Sequence, residues 1–240
     1  MTTYDEQAEN DLFDSQKLYL SRLSIGEKPV IFDVGANIGQ SIEGYRRLCP
    51  AAEITSFEPL PECFAKLYEV YRGQTGIILK NLALADKSGH RTFHATRCNT
   101  LSSLLQPDPR IQEISPKRNY DFNEIEVEVD TLDIYCRANQ IESIDVLKID
   151  VQGAELSVLQ GAKSMLSSKK IRIIYLEVIF ADNYLEQSNL ESLIQYLKQW
   201  GYAMWDFRPF LHTKSGRLWA GNAIFMSDQT ITHLENHQPT

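Results

Sequence analysis

The sequence has little of what stabilises secreted proteins or spans membranes. Its 240 residues include four cysteines, and no two of them form a CxxC pair. It therefore offers no pattern for a disulfide framework, a zinc site or a redox dithiol. No apolar run approaches the ~20 residues that a helix needs to cross a bilayer. The acidic start, MTTYDEQAENDLFD, lacks the apolar core of a signal peptide. We therefore expect a cytoplasmic protein without a membrane association.

Basic residues are scarce as well. Lysine and arginine number 24 against 32 acidic residues, which gives a net charge of −8. Proteins that grip nucleic acids or anionic membranes usually present a basic surface, so neither partner is expected. Hydrophobic residues make up 43% of the chain, which is enough for a packed globular core.

Several catalytic motifs are missing. The sequence has no GxGxxG dinucleotide fingerprint, no GxxxxGK[ST] phosphate loop and no GxSxG nucleophile elbow. No tyrosine is followed four residues later by lysine, the pair typical of short-chain dehydrogenases. These absences argue against P-loop enzymes, serine hydrolases and the common dinucleotide-binding enzymes.

Buried-strand patterns alternate with amphipathic helices along most of the chain. The predicted strands are KPVIFDVGA, EITSFEP, GIILKNLAL, SIDVLKID and KIRIIYLEVI, and YAMWDFRPFLHTKSGRLWAGNAIFMSD predicts an antiparallel hairpin around TKSG. GAELSVLQGAKSML predicts one amphipathic helix. This alternation predicts an α/β fold with a mostly parallel sheet and a ligand crevice at the carboxyl ends of its strands.

The pattern predicts one principal domain. We expect an N-terminal helical extension or cap over residues 1–28, a single domain over 29–228 and a tail over 229–240. Residues 86–130 interrupt the βα rhythm with alternating and proline-dotted segments, so they are expected to form an insertion within the domain.

Three predicted strands end in an acid, and the first acid opens a two-glycine loop. The acids are Asp33, Glu58 and Asp150, which would meet at one edge of a parallel sheet. In the loop DVGANIG, a glycine at position 35 allows a sharp turn and a glycine at position 39 lets the next helix begin close to a ligand. Asn37 suits a turn that a bulkier residue would resist.

Glu58 is placed to bind a ribose. It follows Gly39 by 19 residues, a position from which an acid accepts both ribose hydroxyls. Its neighbours Pro59 and Leu60 offer apolar surface to an adenine ring. NAD and S-adenosylmethionine share this chemistry, but the loop lacks the glycines that let a pyrophosphate approach. Asp33 fits the ammonium group of S-adenosylmethionine, and a nicotinamide-dependent oxidoreductase remains the alternative.

Seven segments carry a family resemblance. They are IFDVGANIGQS, SFEPLPECFAKL, NLALADKSGHRTFH, TLSSLL, VDTLDIYC, VLKIDVQGAELSVLQGA and YLEV. In this order they resemble the FkbM-like methyltransferases. The resemblance implies a Rossmann-like class I methyltransferase with a seven-stranded sheet, helices on both faces and a C-terminal antiparallel hairpin. It implies S-adenosylmethionine as cofactor and O-methylation of a small molecule, sugar or natural product, as in natural product biosynthesis.

The resemblance also implies roles for individual residues. The implied cofactor-binding residues are Asp33, Gly35, Asn37, Gly39, Glu58, Asn81, Ala83 and Asp150. Ala36 of the same loop and the apolar Pro59 and Leu60 complete the candidate cofactor-binding residues. Asp150 would also lie near the reacting centre, and Glu155 matches the acid of the family's EGAE run. Here that run reads QGAE, with Gln152 in place of a glutamate. This substitution keeps a non-catalytic binding protein open as a further alternative.

A hydroxyl acceptor requires a base. The candidate catalytic residues are Asp150, Glu155, Glu177 and His212. A divalent metal ion is an additional cofactor that the sequence permits but does not favour, and we assign no metal ligands. A homodimer is compatible with the sequence.

Overall fold

The structure, a computed structural model, describes residues 19–21, 23, 28–111, 121–212 and 215–236. The strands are β1 (Val30–Val34), β2 (Glu53–Phe57), β3 (Ile77–Lys80), β4 (Ala83–Leu84), β5 (Gly89–Thr96), β6 (Phe122–Asp130), β7 (Ile144–Ile149), β8 (Ile171–Ile179), β9 (Tyr202–His212) and β10 (Leu218–Ser227). The helices are α1 (Gln40–Leu48), α2 (Pro61–Tyr71), α3 (Leu132–Ala138), α4 (Glu155–Gln160), α5 (Lys163–Ser167), α6 (Leu190–Gln199) and α7 (Asp228–Asn236). A short 3₁₀ helix spans Asn99–Leu101.

Seven strands form the main sheet, in the order β3-β2-β1-β7-β8-β10-β9. Strands β1, β2, β3, β7 and β8 pair in parallel, and β10 runs antiparallel to both β8 and β9. The prediction of a mostly parallel seven-stranded sheet with a C-terminal antiparallel hairpin is therefore confirmed. The strand order reverses between β1 and β7, and the carboxyl ends of strands at such a switch point form a crevice.

Helices cover both faces of this sheet because its central strands are apolar on both sides. Consecutive residues of β1, Ile31 and Phe32, are both fully buried but enter different hydrophobic clusters. The Phe32 cluster includes residues of α3, α4, α5 and α6, whereas the Ile31 cluster includes residues of α1, α2 and α7. This arrangement of alternate side chains is typical of a parallel strand buried between two helical layers.

The leading segment packs on the same body. Tyr19, Leu20 and Leu23 are buried and belong to the Ile31 cluster. Residues 1–18 of the predicted extension lie outside the described residues. At the other end, the segment predicted as a tail forms helix α7, in which Leu234 is buried against the same cluster.

A second sheet has the order β4-β6-β5, in which β5 and β6 come from the segment predicted as an insertion and β4 precedes it. The segment GIILKNLAL was expected to form one strand, and this prediction is wrong. It divides into β3 and β4, which belong to different sheets. The division falls at Asn81, whose side-chain amide donates to the carbonyls of Glu58 (2.8 Å) and Pro59 (3.0 Å). Residues 112–120 of the insertion lie outside the described residues.

The helix predicted over GAELSVLQGAKSML is also interrupted. It forms the two short helices α4 and α5, which meet at Gly161. A β-carbon at position 161 would lie 2.1 Å from the carbonyl oxygen of Ala85, so the chain can pass there only as glycine. Asp133 of α3 then accepts the backbone N–H groups of Ser164 (2.7 Å) and Met165 (3.0 Å), which satisfies the start of α5.

This close approach predicts that Gly161→Ala destabilises the protein. The added methyl group must displace backbone at Ala85, and overpacking of this kind costs about 1–3 kcal/mol. Urea unfolding followed by circular dichroism measures the loss. Lys163→Ala, on the exposed side of α5, is the control and should change the free energy of unfolding by less than about 0.5 kcal/mol. Equal stabilities of wild type and Gly161→Ala would contradict the close approach.

Candidate active site

A cavity of about 800 Å³ lies at the carboxyl ends of β1, β2, β7 and β8. Its volume is in the upper part of the ~300–1,000 Å³ range of small-molecule sites. The loop after β1 and the strand-end acids form one side. The 3₁₀ helix Asn99–Leu101 and its flanking residues form another side, and Trp219 and Asn222 of β10 complete the wall. The insertion and the C-terminal hairpin thus both contribute to this cavity.

The loop after β1 requires glycine at its first turn. Gly35 has a φ of +84°, and a β-carbon there would lie 1.9 Å from the carbonyl oxygen of Asp150. Asn37 also adopts a left-handed conformation, with a φ of +49°. Gly35, Ala36 and Asn37 line the cavity, whereas Gly39 does not. Gly39 precedes α1 with a φ of +103° and packs against the ring of Tyr71.

Glu58 presents a fixed carboxylate to the cavity. Its two oxygens accept the backbone N–H groups of Asn37 and Leu60, each at 2.8 Å. Each oxygen keeps a further lone pair that can accept a ligand hydroxyl. Burial raises the pKa of Glu58 to about 7, although these two N–H groups oppose the rise. The negative charges of Asp33 and Asp150 raise this pKa further.

An apolar wall adjoins Glu58. Pro59 and Ala83 line the cavity together with Leu82, Leu84 and Phe93. Two of the predicted cofactor residues, Leu60 and Asn81, do not line the cavity and instead support Glu58 and its neighbour. The side chain of Asn81 holds the carbonyls of residues 58 and 59, and Leu60 contributes its N–H to Glu58. The structure thus brings these residues together, but only some of them face the cavity.

Asp33 does not line the cavity. It is fully buried, and its Oδ1 lies 3.1 Å from the Lys148 Nζ, which is also 3.6 Å from Asp150 Oδ2. Burial lowers the pKa of Lys148, but the charges of Asp33 and Asp150 outweigh this effect and raise the pKa above its ordinary value. The ammonium group beside Asp33 therefore belongs to the protein, at the place where the sequence suggested a ligand ammonium. The sequence interpretation did not single out Lys148.

Two further acids line the cavity at the neighbouring strands β7 and β8. Asp150 and Glu177, here called the carboxylate pair, both line the cavity. The side-chain amide of Gln152 donates to Asp150 Oδ1 (3.0 Å) and to Glu177 Oε2 (2.6 Å). Burial, followed by repulsion from Asp150 and Glu155, raises the pKa of Glu177 well above its ordinary value, and Lys148 opposes the rise.

Glu155 lies beneath the loop that follows β7. It is buried and does not line the cavity. Its Oε1 accepts the N–H groups of Val151 (3.3 Å) and Gly153 (3.0 Å), and its Oε2 accepts the hydroxyl of Ser188 (2.8 Å). Burial raises the pKa of Glu155 to about 7, against these hydrogen bonds. Its contacts indicate that it supports the loop.

His212 is not brought into the cavity. It lies exposed at the end of β9, and its neighbour Leu211 lines the cavity instead. Sequence reasoning also missed Ser103 and Tyr184, which hold the loop after β7. The Ser103 hydroxyl donates to the carbonyl of Gln152 (2.9 Å), and the Tyr184 hydroxyl lies 3.3 Å from Gln152 Oε1. The TLSSLL segment, which includes Ser103, was the only signal for this contact.

The described part of the chain contains no cluster of three His, Cys, Asp or Glu side chains arranged to hold a metal ion. Within the same residues, no helix is both long enough and apolar enough to cross a membrane. The charged side chains that line the cavity are the acids Glu58, Asp150 and Glu177 and the cations Arg97 and Lys148.

Among solved structures, the fold is similar to that of magnesium protoporphyrin IX methyltransferase (ChlM) from Synechocystis PCC 6803 with bound S-adenosylmethionine. The TM-score is 0.50 at 10% identity, over 95% of this chain and 86% of that one. A likeness at this identity shows the fold, which is that of class I methyltransferases.

Curated relatives are similar in sequence. The 2-O-methyltransferase NoeI of Sinorhizobium fredii is 33% identical over 192 residues, which cover 76% of this chain and 77% of NoeI. The 31-O-demethyl-FK506 methyltransferase FkbM of Streptomyces tacrolimicus is 28% identical, over 65% and 67% of the two chains. The hexuronic acid methyltransferase AglP of Haloferax volcanii is 26% identical, over 62% of this chain and 56% of AglP.

The family comparison covers most of the site. Residues 33–204 match the family described as "Methyltransferase FkbM domain". The match begins at Asp33 and includes Glu58, the carboxylate pair and the Gln152 loop. The chain therefore belongs to the FkbM family of methyltransferases, which take their methyl group from S-adenosylmethionine.

Proposed function

We propose that the protein transfers a methyl group from S-adenosylmethionine to a hydroxyl oxygen of a saccharide or another small molecule. The observation that carries the proposal is a single cavity that presents Glu58 beside an apolar wall and the carboxylate pair in the same space. The first group suits an adenosine, and the second suits a hydroxyl that must lose its proton.

The cofactor side rests on Glu58. Because each of its oxygens is already oriented by one backbone N–H, the free lone pairs are fixed in direction and can accept the two ribose hydroxyls. The apolar side chains of residues 82–84 and 93 offer a surface for adenine. The loop after β1 has Asn37 and Gln40 where a dinucleotide fingerprint has its second and third glycines, which favours S-adenosylmethionine over a nicotinamide dinucleotide.

The acceptor class follows from the relatives and from the carboxylate pair. NoeI is by name a 2-O-methyltransferase, and AglP acts on a hexuronic acid. NoeI's name supports an oxygen acceptor, and AglP's supports a sugar acid. Aromatic and amide groups of β10, Trp219 and Asn222, line the cavity and suit the face and hydroxyls of such a molecule.

The bound cofactor supplies a methyl group activated on a sulfonium. The chain's own contribution is to align that group with the acceptor, exclude water and accept a proton. Among the four candidate bases, we propose Glu177. It lines the cavity, and its raised pKa makes its carboxylate a stronger base than an ordinary one. Asp150 is shared with Lys148, Glu155 supports the loop, and His212 lies outside the cavity.

Glu58→Gln should weaken S-adenosylmethionine binding by roughly 10- to 100-fold, because hydrogen bonds to a charged group contribute about 1.5–3 kcal/mol. Isothermal titration calorimetry measures the dissociation constant. Glu62→Gln, the same change at an exposed position of α2, is the matched control and should bind as the wild type does. Equal affinities of Glu58→Gln and wild type would remove Glu58 from the cofactor site.

Adenosine binding should depend on pH through the same residue. The pKa of Glu58 is about 7, so its carboxylate form, which accepts both hydroxyls, replaces the acid form as the pH rises through that value. Adenosine lacks the methionine amine that also titrates near neutrality. Its affinity, followed by NMR, should rise between pH 6 and 8 in wild type and stay constant in Glu58→Gln. A flat wild-type profile would contradict this assignment.

Glu177→Gln should lower the rate of methyl transfer by about 10²- to 10⁴-fold while S-adenosylmethionine still binds, because general-base catalysis contributes about this factor. The assay offers sugars, uronic acids and polyketide products with free hydroxyls, and mass spectrometry detects the added methyl group. Because burial and Asp150 raise the pKa of Glu177, the wild-type rate should increase with pH over a range above that of an ordinary glutamate.

Glu186→Gln is the matched control for this experiment, since Glu186 is exposed on the loop after β8. It should turn over at the wild-type rate. If Glu155→Gln loses turnover and Glu177→Gln keeps it, the base is assigned to the wrong acid. Cofactor binding without methylation of any acceptor would favour the non-catalytic alternative.

A further inference from the structure

One side-chain amide joins both members of the carboxylate pair. Gln152 Nε2 lies 3.0 Å from Asp150 Oδ1 and 2.6 Å from Glu177 Oε2, so its two N–H bonds can serve one carboxylate each. Asp150 lies directly after β7, and Glu177 lies in the neighbouring strand β8. The amide therefore connects acids from two strands at the edge where the cavity opens.

The orientation of this amide follows from its surroundings. If the amide were turned around, its oxygen would face two carboxylates and its N–H bonds would face the Tyr184 hydroxyl. In the observed orientation Oε1 is 3.3 Å from that hydroxyl, which also lies 2.8 Å from the carbonyl of Leu101. A glutamate at position 152 could accept from Tyr184, but its second oxygen would face the carboxylate pair with no proton to share.

The loop places the amide by backbone contacts. Gln152 has a left-handed φ of +53°, an uncommon conformation for a residue other than glycine. Its carbonyl accepts the Ser103 hydroxyl from the insertion. The next residue, Gly153, donates its N–H to Glu155 (3.0 Å), and its carbonyl accepts the N–H of Ser188 (2.8 Å). Three separate segments thus fix the position from which the side chain reaches the carboxylate pair.

The charges that face Glu177 come mainly from β7 and α4. Asp150 and Glu155 are negative, and Lys148 is positive but is shared with Asp33. From the other neighbouring strand, the residue opposite Glu177 is Asn222, which carries no charge. Two acids in contact cannot both ionise readily unless a donor or a cation lies between them. Gln152 supplies that donor without adding a negative charge.

We propose that Gln152 is a positioning residue that holds Asp150 and Glu177 on one amide, so that Glu177 faces the acceptor with its carboxylate free to take the hydroxyl proton. This inference rests on the function proposed above, in which Glu177 is the base. Gln152 itself does not touch the reacting atoms in this assignment. It acts by holding the two acidic side chains of the carboxylate pair in place through one hydrogen bond to each.

The direct test is a ¹³C NMR titration of the Glu177 carboxyl in the full chain, assigned with Glu177→Gln. Gln152→Glu and Gln152→Met should each move the midpoint of the Glu177 carboxyl titration to higher pH. The first adds a neighbouring charge, whose effect is typically about one to three pH units, and the second removes the donor while keeping the chain length. Gln152→Glu differs from wild type by one atom, so it keeps the test usable if Gln152→Met fails to fold.

The matched control is Gln140→Glu. Gln140 also has a left-handed backbone, with a φ of +56°, but it is exposed after α3. It should leave the Glu177 midpoint unchanged. The NMR titration needs no acceptor, so its result on Gln152 does not depend on whether the proposed methyl transfer occurs. An unchanged Glu177 midpoint in Gln152→Glu would overturn the positioning role even if the protein is an active methyltransferase.

The kinetic arm uses the acceptor found in the methylation assay. Gln152→Glu should lower the turnover number at neutral pH by at least about tenfold, and the rise of rate with pH should move upward together with the NMR midpoint. The KM for S-adenosylmethionine should stay within about twofold. A loss that appears only in this KM would show that Gln152 serves cofactor binding instead. Titration with MnCl₂ adds a further check. If wild type binds Mn²⁺ and Glu177→Gln does not, a cation and not the Gln152 amide joins the carboxylate pair.

Discussion

The ammonium group of Lys148 is the interaction on which the rest of the site depends. It lies between Asp33 and Asp150, so it joins the carboxyl ends of β1 and β7 at the point where the strand order reverses. Removing one partner from a buried ion pair leaves an uncompensated charge, and the cost is typically about 3–5 kcal/mol. The positions of the two strand ends, and of both loops that leave them, are therefore coupled.

The coupling of the two strand ends positions both the loop that carries Asn37 and the loop that carries Gln152, and both loops line the cavity. The carbonyl of Asp150 lies so close to Gly35 that the two loops can meet only with glycine at that position. The first loop then brings the N–H of Asn37 to Glu58, and the second brings Gln152 to the carboxylate pair. Glu58, Glu155 and Glu177 all have a pKa raised first by burial. Such a concentration of buried acids is unfavourable for folding and is typical of functional sites.

Much of the fold could be predicted from periodicity, because the main strands are apolar on both faces and the helices on one. The interruptions within one predicted strand and one predicted helix could not be predicted in this way. Asn81 and Gly161 interrupt a strand and a helix through contacts with Pro59 and Ala85, which are distant in sequence. The segment after β10 reads as polar, yet Leu234 gives helix α7 a buried face.

The site was predictable in position but only partly in the roles of its residues. Strand-end acids and the two-glycine loop located the cavity, since parallel strands end at one edge. Asp33 and Glu155 looked like ligand-facing acids because a sequence shows where a strand ends but not which partner a side chain meets. Lys148 appeared to be one more residue of an apolar strand, and only its register opposite Asp33 reveals the ion pair. Gln152 was visible as a missing carboxylate, whereas its two hydrogen bonds depend on β8.

The measurement that most directly tests the central claim is a crystal structure with S-adenosylhomocysteine. In that structure both ribose hydroxyls should lie within hydrogen-bond distance of the Glu58 oxygens, about 2.5–3.0 Å. The thioether sulfur should face the space in front of the carboxylate pair. A ligand bound with its ribose away from Glu58, or with its sulfur on the side of the cavity away from Asp150 and Glu177, would contradict the central claim.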